Sequence, residues 1–144
     1  MTRWWLVGLG SLLGGSLRVL VGLLLGASLD PPLDGGLASS AGHALPWATA
    51  VANITGSFAI GLYAVLYGPG GTWPAGPGQQ QFVMAGLCGG YTTFSIFSLE
   101  ALAMLSRGDV ALAAAWILAN VALWLGAAAA GMTLGERLAG SMVD

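Results

Sequence analysis

Residues 86–100 read Gly86-Leu87-Cys88-Gly89-Gly90-Tyr91-Thr92-Thr93-Phe94-Ser95-Ile96-Phe97-Ser98-Leu99-Glu100. They stand inside an otherwise apolar segment, Gln81 to Leu105, that is long enough to cross a bilayer as a helix. A Gly-Gly pair followed by hydroxyl residues at 91, 92, 93, 95 and 98 makes a poor continuous helix on propensity and an expensive surface to turn toward lipid. The spacing predicts that the helix breaks there. Backbone carbonyls freed at such depth are tolerated only where protein buries them or an ion or water satisfies them, as at the broken helices of transporters. The structural alternative is a glycine-rich kink whose carbonyls are satisfied by the neighbouring hydroxyls.

Three further segments of the same kind flank this one, from about Trp4 to Leu29, Trp47 to Tyr67 and Val110 to Met132. The first is too long for the apolar core of a signal peptide and carries Arg18 within it, so it reads as a retained membrane helix. Between segments one and two, Asp30 to Pro46 holds a Pro-Pro pair and Gly35-Gly36, a loop that sits outside the bilayer. Gly68 to Gly78 forms the second connection. Ser106 to Asp109 forms the third, short enough to make the last two segments antiparallel neighbours. No soluble domain, linker or clear internal repeat interrupts residues 1–144, which read as one four-helix transmembrane domain.

Composition agrees. The chain is 56% hydrophobic and 7% charged, with no lysine, a balance that leaves a water-soluble fold unable to cover itself. Its net charge of −2 is scattered, which excludes the basic patch that nucleic-acid binding needs. One cysteine, Cys88, excludes an internal disulfide and a multi-thiolate metal site, and its ordinary reading is a small buried apolar residue. Arg3 and Arg137 fall on the face with the termini and Arg107 on the other. So even a distribution gives the insertion machinery little instruction: the functional reading is insertion in both orientations, the bland one the poor statistics of a chain with four arginines. Glycines recur inside the segments, in Gly8-x-Gly10, Gly14-Gly15, Gly22-x-x-x-Gly26 and Gly56-x-x-x-x-Gly61, a signal for close helix packing in an oligomeric bundle.

Several side chains carry chemistry. Phe94 and Phe97 are three apart on one helical face, with Glu100 a turn further on. Paired rings are usually core packing, yet the positive edge of an aromatic quadrupole also suits an anion. Asn53, with Thr55 and Ser57 nearby, offers amide donors without a charge, or else pins two helices together. Arg18 and Glu100 are the charges embedded in the segments, and an intramembrane ionisable group is costly enough to suggest function, although each can also snorkel or pair. His43 reads as a solvated loop residue.

At these residues the sequence resembles the Fluc (CrcB) family of microbial fluoride channels. The resemblance lies in Gly14-Gly15-Ser16-Leu17-Arg18, in Pro46-Trp47-Ala48-Thr49 with Asn53-Ile54-Thr55-Gly56-Ser57-Phe58, and in Gly89 to Glu100. It implies a fluoride-selective channel in the cell inner (plasma) membrane. It also implies an all-α integral membrane fold with a broken third helix, assembled as a dual-topology antiparallel dimer with two anion pathways. A homodimer is expected, with a paralogous partner subunit as the variant arrangement. By motif position, Asn53, Phe94 and Phe97 line the pore, with Ser95 and Ser98 among the hydroxyls of the third helix and Asn120 on the fourth. Arg18 and Glu100 fall at the vestibule or gate. The carbonyls of Gly89 and Thr92 hold a structural sodium ion (Na+) at the dimer centre. Family members often carry an aromatic and a serine four apart in helix four, where this chain has Trp116 and Asn120. The asparagine keeps a donor but changes its reach. The long loop at 30–46 is a second departure.

The physical reading converges on the same class. Fluoride is small and strongly hydrated, so a selective path must replace its water with donors, and uncharged donors let it leave again. A small proton-coupled multidrug exporter is the runner-up, but that chemistry needs a carboxylate in the first membrane helix, which here carries only Arg18. A membrane enzyme is weaker still, for want of a His, Cys or carboxylate cluster.

Overall fold

The computed structural model describes residues 3–25 and 46–141. Four helical spans within them are long and apolar enough to cross a membrane: Trp4–Leu24, Trp47–Tyr67, Pro77–Ser106 and Val110–Gly140. We label Trp4–Leu24 α1 and Trp47–Tyr67 α2. The third span divides into α3 (77–91) and α4 (Phe94–Ser106), and Val110–Gly140 is α5. The described residues contain no strand.

The boundaries expected from hydropathy shift where local chemistry intervenes. α1 closes at Leu24 rather than near Leu29; the loop around His43 lies outside the described residues. α3 starts at Pro77, four residues before the expected Gln81, because proline at the first helical position loses no hydrogen bond. α5 continues past Met132 to Gly140. At 1.5 Å per residue its 31 residues exceed a hydrocarbon core of about 30 Å, so the last turns with Glu136 and Arg137 project into the headgroup region. The α4–α5 turn is tight because Gly108 takes a left-handed φ of 84°, a conformation that needs no Cβ.

Two seams hold the bundle. Along α1 and α3, Gly10 faces the backbone of Phe82, Gly86 and Leu87, and Gly14 faces Leu87, Gly90 and Tyr91. A Cβ at Gly86 would meet the Gly10 Cα at 2.9 Å, and one at Gly90 would meet the Ser11 Cα at 2.7 Å. The two helices thus run parallel in backbone contact, each contributing glycines four apart. Along α2 and α5, Gly61 meets Ala128, Gly131 meets Phe58 and Gly135 meets Val65, a second parallel seam of small residues.

Between α2, α4 and α5 lies the buried core: Ala50, Phe97, Met104, Ala113 and Trp116. At the end of α2 the chain folds back, with Trp73 N–H donating to the Leu66 carbonyl and Ala75 N–H to that of Tyr67. This strap carries an aromatic row, Tyr63, Tyr67 and Trp73, with successive ring centroids 5.2 and 6.0 Å apart. Such rings suit the membrane–water interface.

Candidate functional site

The helix break falls at Thr92 and Thr93, whose backbones are extended (φ −81°, ψ 157° and φ −148°, ψ 118°). Upstream, Gln81–Cys88 is wound as a π-helix, so Gly89 N–H reaches the Met84 carbonyl five residues back. Downstream, Thr93 caps α4 by accepting from Ile96 N–H through its hydroxyl at 3.2 Å. Thr92 closes the first half with both its N–H and its hydroxyl on the Cys88 carbonyl, each at 3.0 Å.

Asn53 holds the break open. Its Nδ2 donates to the Thr93 carbonyl at 2.9 Å and its Oδ1 accepts from Thr93 N–H at 2.7 Å. One carboxamide therefore satisfies both polar groups of a single peptide-linked residue, as a neighbouring strand would, and both residues are buried. Two carbonyls lose their helical donors in consequence. Thr93 N–H goes to Asn53 rather than to Gly89, and Ile96 N–H goes to the Thr93 hydroxyl rather than to Thr92. One Nδ2 proton of Asn53 remains free for another acceptor. Of the two amide protons expected from the sequence, one is thus committed to the Thr93 carbonyl.

Beside the break lies a cavity of about 260 Å³, lined among others by Asn53, Ser57, Thr92, Thr93, Phe94 and Trp124. Its polar lining is uncharged. Phe94 and Phe97 are neighbours with centroids 5.9 Å apart, but their surroundings differ: Phe97 is 3% exposed and packed edge-to-face on Trp124 at 4.7 Å, whereas Phe94 is 72% exposed. Ser95 and Ser98 lie on the exposed side of α4, Ser95 sharing a hydrogen bond with Thr93 and Ser98 donating to the Phe94 carbonyl.

Glu100 pairs with α2 rather than with Arg18: the Thr49 hydroxyl donates to its Oε1 at 2.5 Å, and its Oε2 is buried without a hydrogen-bond partner among the described residues. Arg18 is half-buried on α1, its Nε likewise without a partner among the described residues. Asn120 is buried to 1% exposure, its Nδ2 donating to the Trp116 carbonyl one turn back and its Oδ1 left open. No group of three or more His, Cys, Asp or Glu side chains able to hold a metal occurs among the described residues. The arrangement offers a small ion a series of uncharged donors beside aromatic rings, in apolar surroundings.

A family model described as CrcB-like protein, Camphor Resistance (CrcB), matches residues 5–132, through all four spans. The chain belongs to the CrcB family. Among its relatives, "Fluoride-specific ion channel FluC 1" of Rhodopseudomonas palustris (strain BisB18) is 46% identical over 130 residues, covering 84% of this chain and 81% of the relative. "Fluoride-specific ion channel FluC 1" of Bradyrhizobium diazoefficiens is 44% identical over 119 residues, covering 83% and 74%. "Fluoride-specific ion channel FluC 3" of Brucella abortus biovar 1 is 40% identical over 133 residues, covering 92% and 88%. With four spans able to cross the bilayer, this CrcB-family chain is a multi-pass membrane protein.

Two site features escaped the sequence reading of this CrcB chain. Thr49 is the partner of Glu100, a contact between residues 51 apart that no local pattern announces. Trp124 lines the cavity, and the available signal was its place four residues after Asn120 and eight after Trp116, on the same helical face.

Proposed function

We propose that this CrcB-family chain is a fluoride-specific ion channel that lets fluoride leave the cell passively through the inner membrane and so relieves fluoride toxicity. The names of its relatives support the ion, and the site supports the mode of transport. The observation that carries the reading is the buried clasp of Asn53 on Thr93, which keeps a helix broken beside a cavity lined by uncharged donors. Fluoride entering such a site exchanges its water for the spare Asn53 proton, for hydroxyls and for ring edges, each weak enough to release it onward. Asn53, Phe94, Phe97, Ser95, Ser98 and Asn120 are the residues we assign to the pathway, with Arg18 and Glu100 at its mouths.

The assembly that suits this site is an antiparallel homodimer. Near-even arginines favour insertion in both orientations, and α1, α4 and α5 expose large apolar side chains along most of their length. Sodium fits the break: the carbonyls of Gly89 and Thr92 have given up their helical donors and are hard oxygen ligands. Bound there, sodium supplies positive charge that offsets anion repulsion. The test is fluoride efflux from liposomes with potassium permeability set by an ionophore. Efflux down the gradient without a proton gradient is expected; dependence on a proton gradient overturns the channel in favour of an exporter.

A further inference from the structure

Tyr91, Thr92 and Thr93, at the break, are each gripped by α2, and each grip uses a different chemistry. The Tyr91 hydroxyl lies 2.9 Å from that of Thr55, Thr93 is clasped by the Asn53 carboxamide, and the Thr92 side chain leans on Gly56. The last contact depends on a missing atom. A Cβ at Gly56 would overlap the Thr92 Cγ2 and stand 3.2 Å from the Tyr91 Cδ1, so the buried glycine leaves the space in which the threonine methyl sits. The other γ substituent of Thr92 is occupied too, its hydroxyl donating to the Cys88 carbonyl at 3.0 Å. A β-branched side chain with both γ atoms engaged has no freedom left at χ1, so the Cα that bears it is held as well.

The peptide group that follows is fixed at its other end. The Thr92 carbonyl and the Thr93 N–H belong to one trans peptide, in which they point in opposite directions. Because that N–H donates to Asn53 Oδ1 at 2.7 Å, the carbonyl is turned away from Asn53. Asn53 thus sets the plane of the peptide, and the fit of the Thr92 methyl against Gly56 sets where the peptide begins. We infer that Gly56 is a positioning residue for the cation site: by lacking a Cβ it seats the Thr92 methyl and so places the Thr92 carbonyl for a sodium ion. The inference rests on the sodium reading above and adds to it a residue that never touches the ion. A methyl at position 56 would force Thr92 to swing clear, and it can do so only by giving up its hydroxyl bond to Cys88 or by carrying its carbonyl with it.

Moving one methyl across the contact tests this. Gly56→Ala adds the methyl that Thr92 must avoid, and Thr92→Ser in the same chain removes the methyl it would strike while keeping the hydroxyl that bonds Cys88. The readout is the thermal unfolding midpoint of detergent-purified protein as sodium replaces N-methylglucamine at constant ionic strength, since an ion that binds the folded form raises the midpoint with concentration. Gly56→Ala is expected to need roughly tenfold more sodium for the same rise, the usual scale for disturbing a group that orients a metal ligand. The double variant should return to within about twofold of wild type, because the two changes act on one contact. A merely structural role would lower the midpoint at every sodium concentration and leave its dependence on sodium unchanged, and that result overturns the inference. So does a double variant no better than Gly56→Ala. Should Gly56→Ala alone fail to fold, a folded double variant with the wild-type sodium response supports the inference, and an unfolded or sodium-blind one refutes it. A wild-type midpoint indifferent to sodium sinks the sodium reading itself, and the inference with it.

Discussion

The two halves of the third membrane span obey different rules. α3 is laid against α1 backbone to backbone, with Gly86 and Gly90 seated where Gly10 and Ser11 leave no space for a Cβ. α4 begins only three residues later but touches its neighbours mainly through side chains: Asn53 on Thr93, Thr49 on Glu100 and Phe97 on Trp124. A seam of that first kind has no adjustable part, since any added atom must push two backbones apart. Contacts of the second kind leave polar groups and ring edges facing space. On the proposed function, that difference separates scaffold from pathway within a single span, with the break at Thr92-Thr93 between them.

The largest effect is expected at the seam. Gly14→Val places methyl groups against the backbone of Leu87 and Tyr91, neither of which can yield as a side-chain end would. Loss of the folded species on size exclusion, and with it all flux, is the expected outcome. A well-behaved Gly14→Val protein with wild-type transport would erase the distinction between the two halves.

Asn53→Leu comes next. Leucine keeps the branched outline of asparagine with bulkier methyl groups in place of the amide, and the Thr93 N–H and carbonyl lose their partners together, at about 1–3 kcal/mol for each buried group left unsatisfied. A lower thermal unfolding temperature and fluoride flux reduced by about two orders of magnitude are expected, corresponding to ~2.7 kcal/mol in the barrier. Retained flux would place the pathway elsewhere than beside the break.

The smallest contrast sharpens the picture within α4. Phe97→Ile removes a ring from a packed site against Trp124 and should cost both stability, about 1 kcal/mol or more, and flux. Phe94→Ile, at an exposed position, should leave stability within about 0.5 kcal/mol of wild type while lowering flux. Equal stability losses for both would mean that the rings are interchangeable packing.

The four spans and the break were legible because they rest on local chemistry: apolar length for the spans, and Gly89-Gly90 with five hydroxyls for the break. What holds the break was only half legible. Asn53 stood out as a polar residue at depth, but its grip on both polar groups of Thr93 depends on the axial offset between α2 and α3, which neither segment encodes alone. Glycine enrichment announced close packing, yet the pairing of Gly10 and Gly14 with Gly86 and Gly90 emerges only when two helices 76 residues apart are set parallel in register. The spacing of Phe94 and Phe97 was read correctly as adjacency. Their unequal burial was not, because burial is decided by Trp124 on another helix.

The central claim is that donors without charge, arranged around a helix held open by Asn53, pass fluoride and reject larger anions. The direct measurement is the pair of efflux rates for fluoride and chloride from one liposome preparation of the wild-type protein. Fluoride should exceed chloride by orders of magnitude, because only the smaller ion fits among the donors closely enough to offset its dehydration. Comparable rates for the two ions would contradict the account.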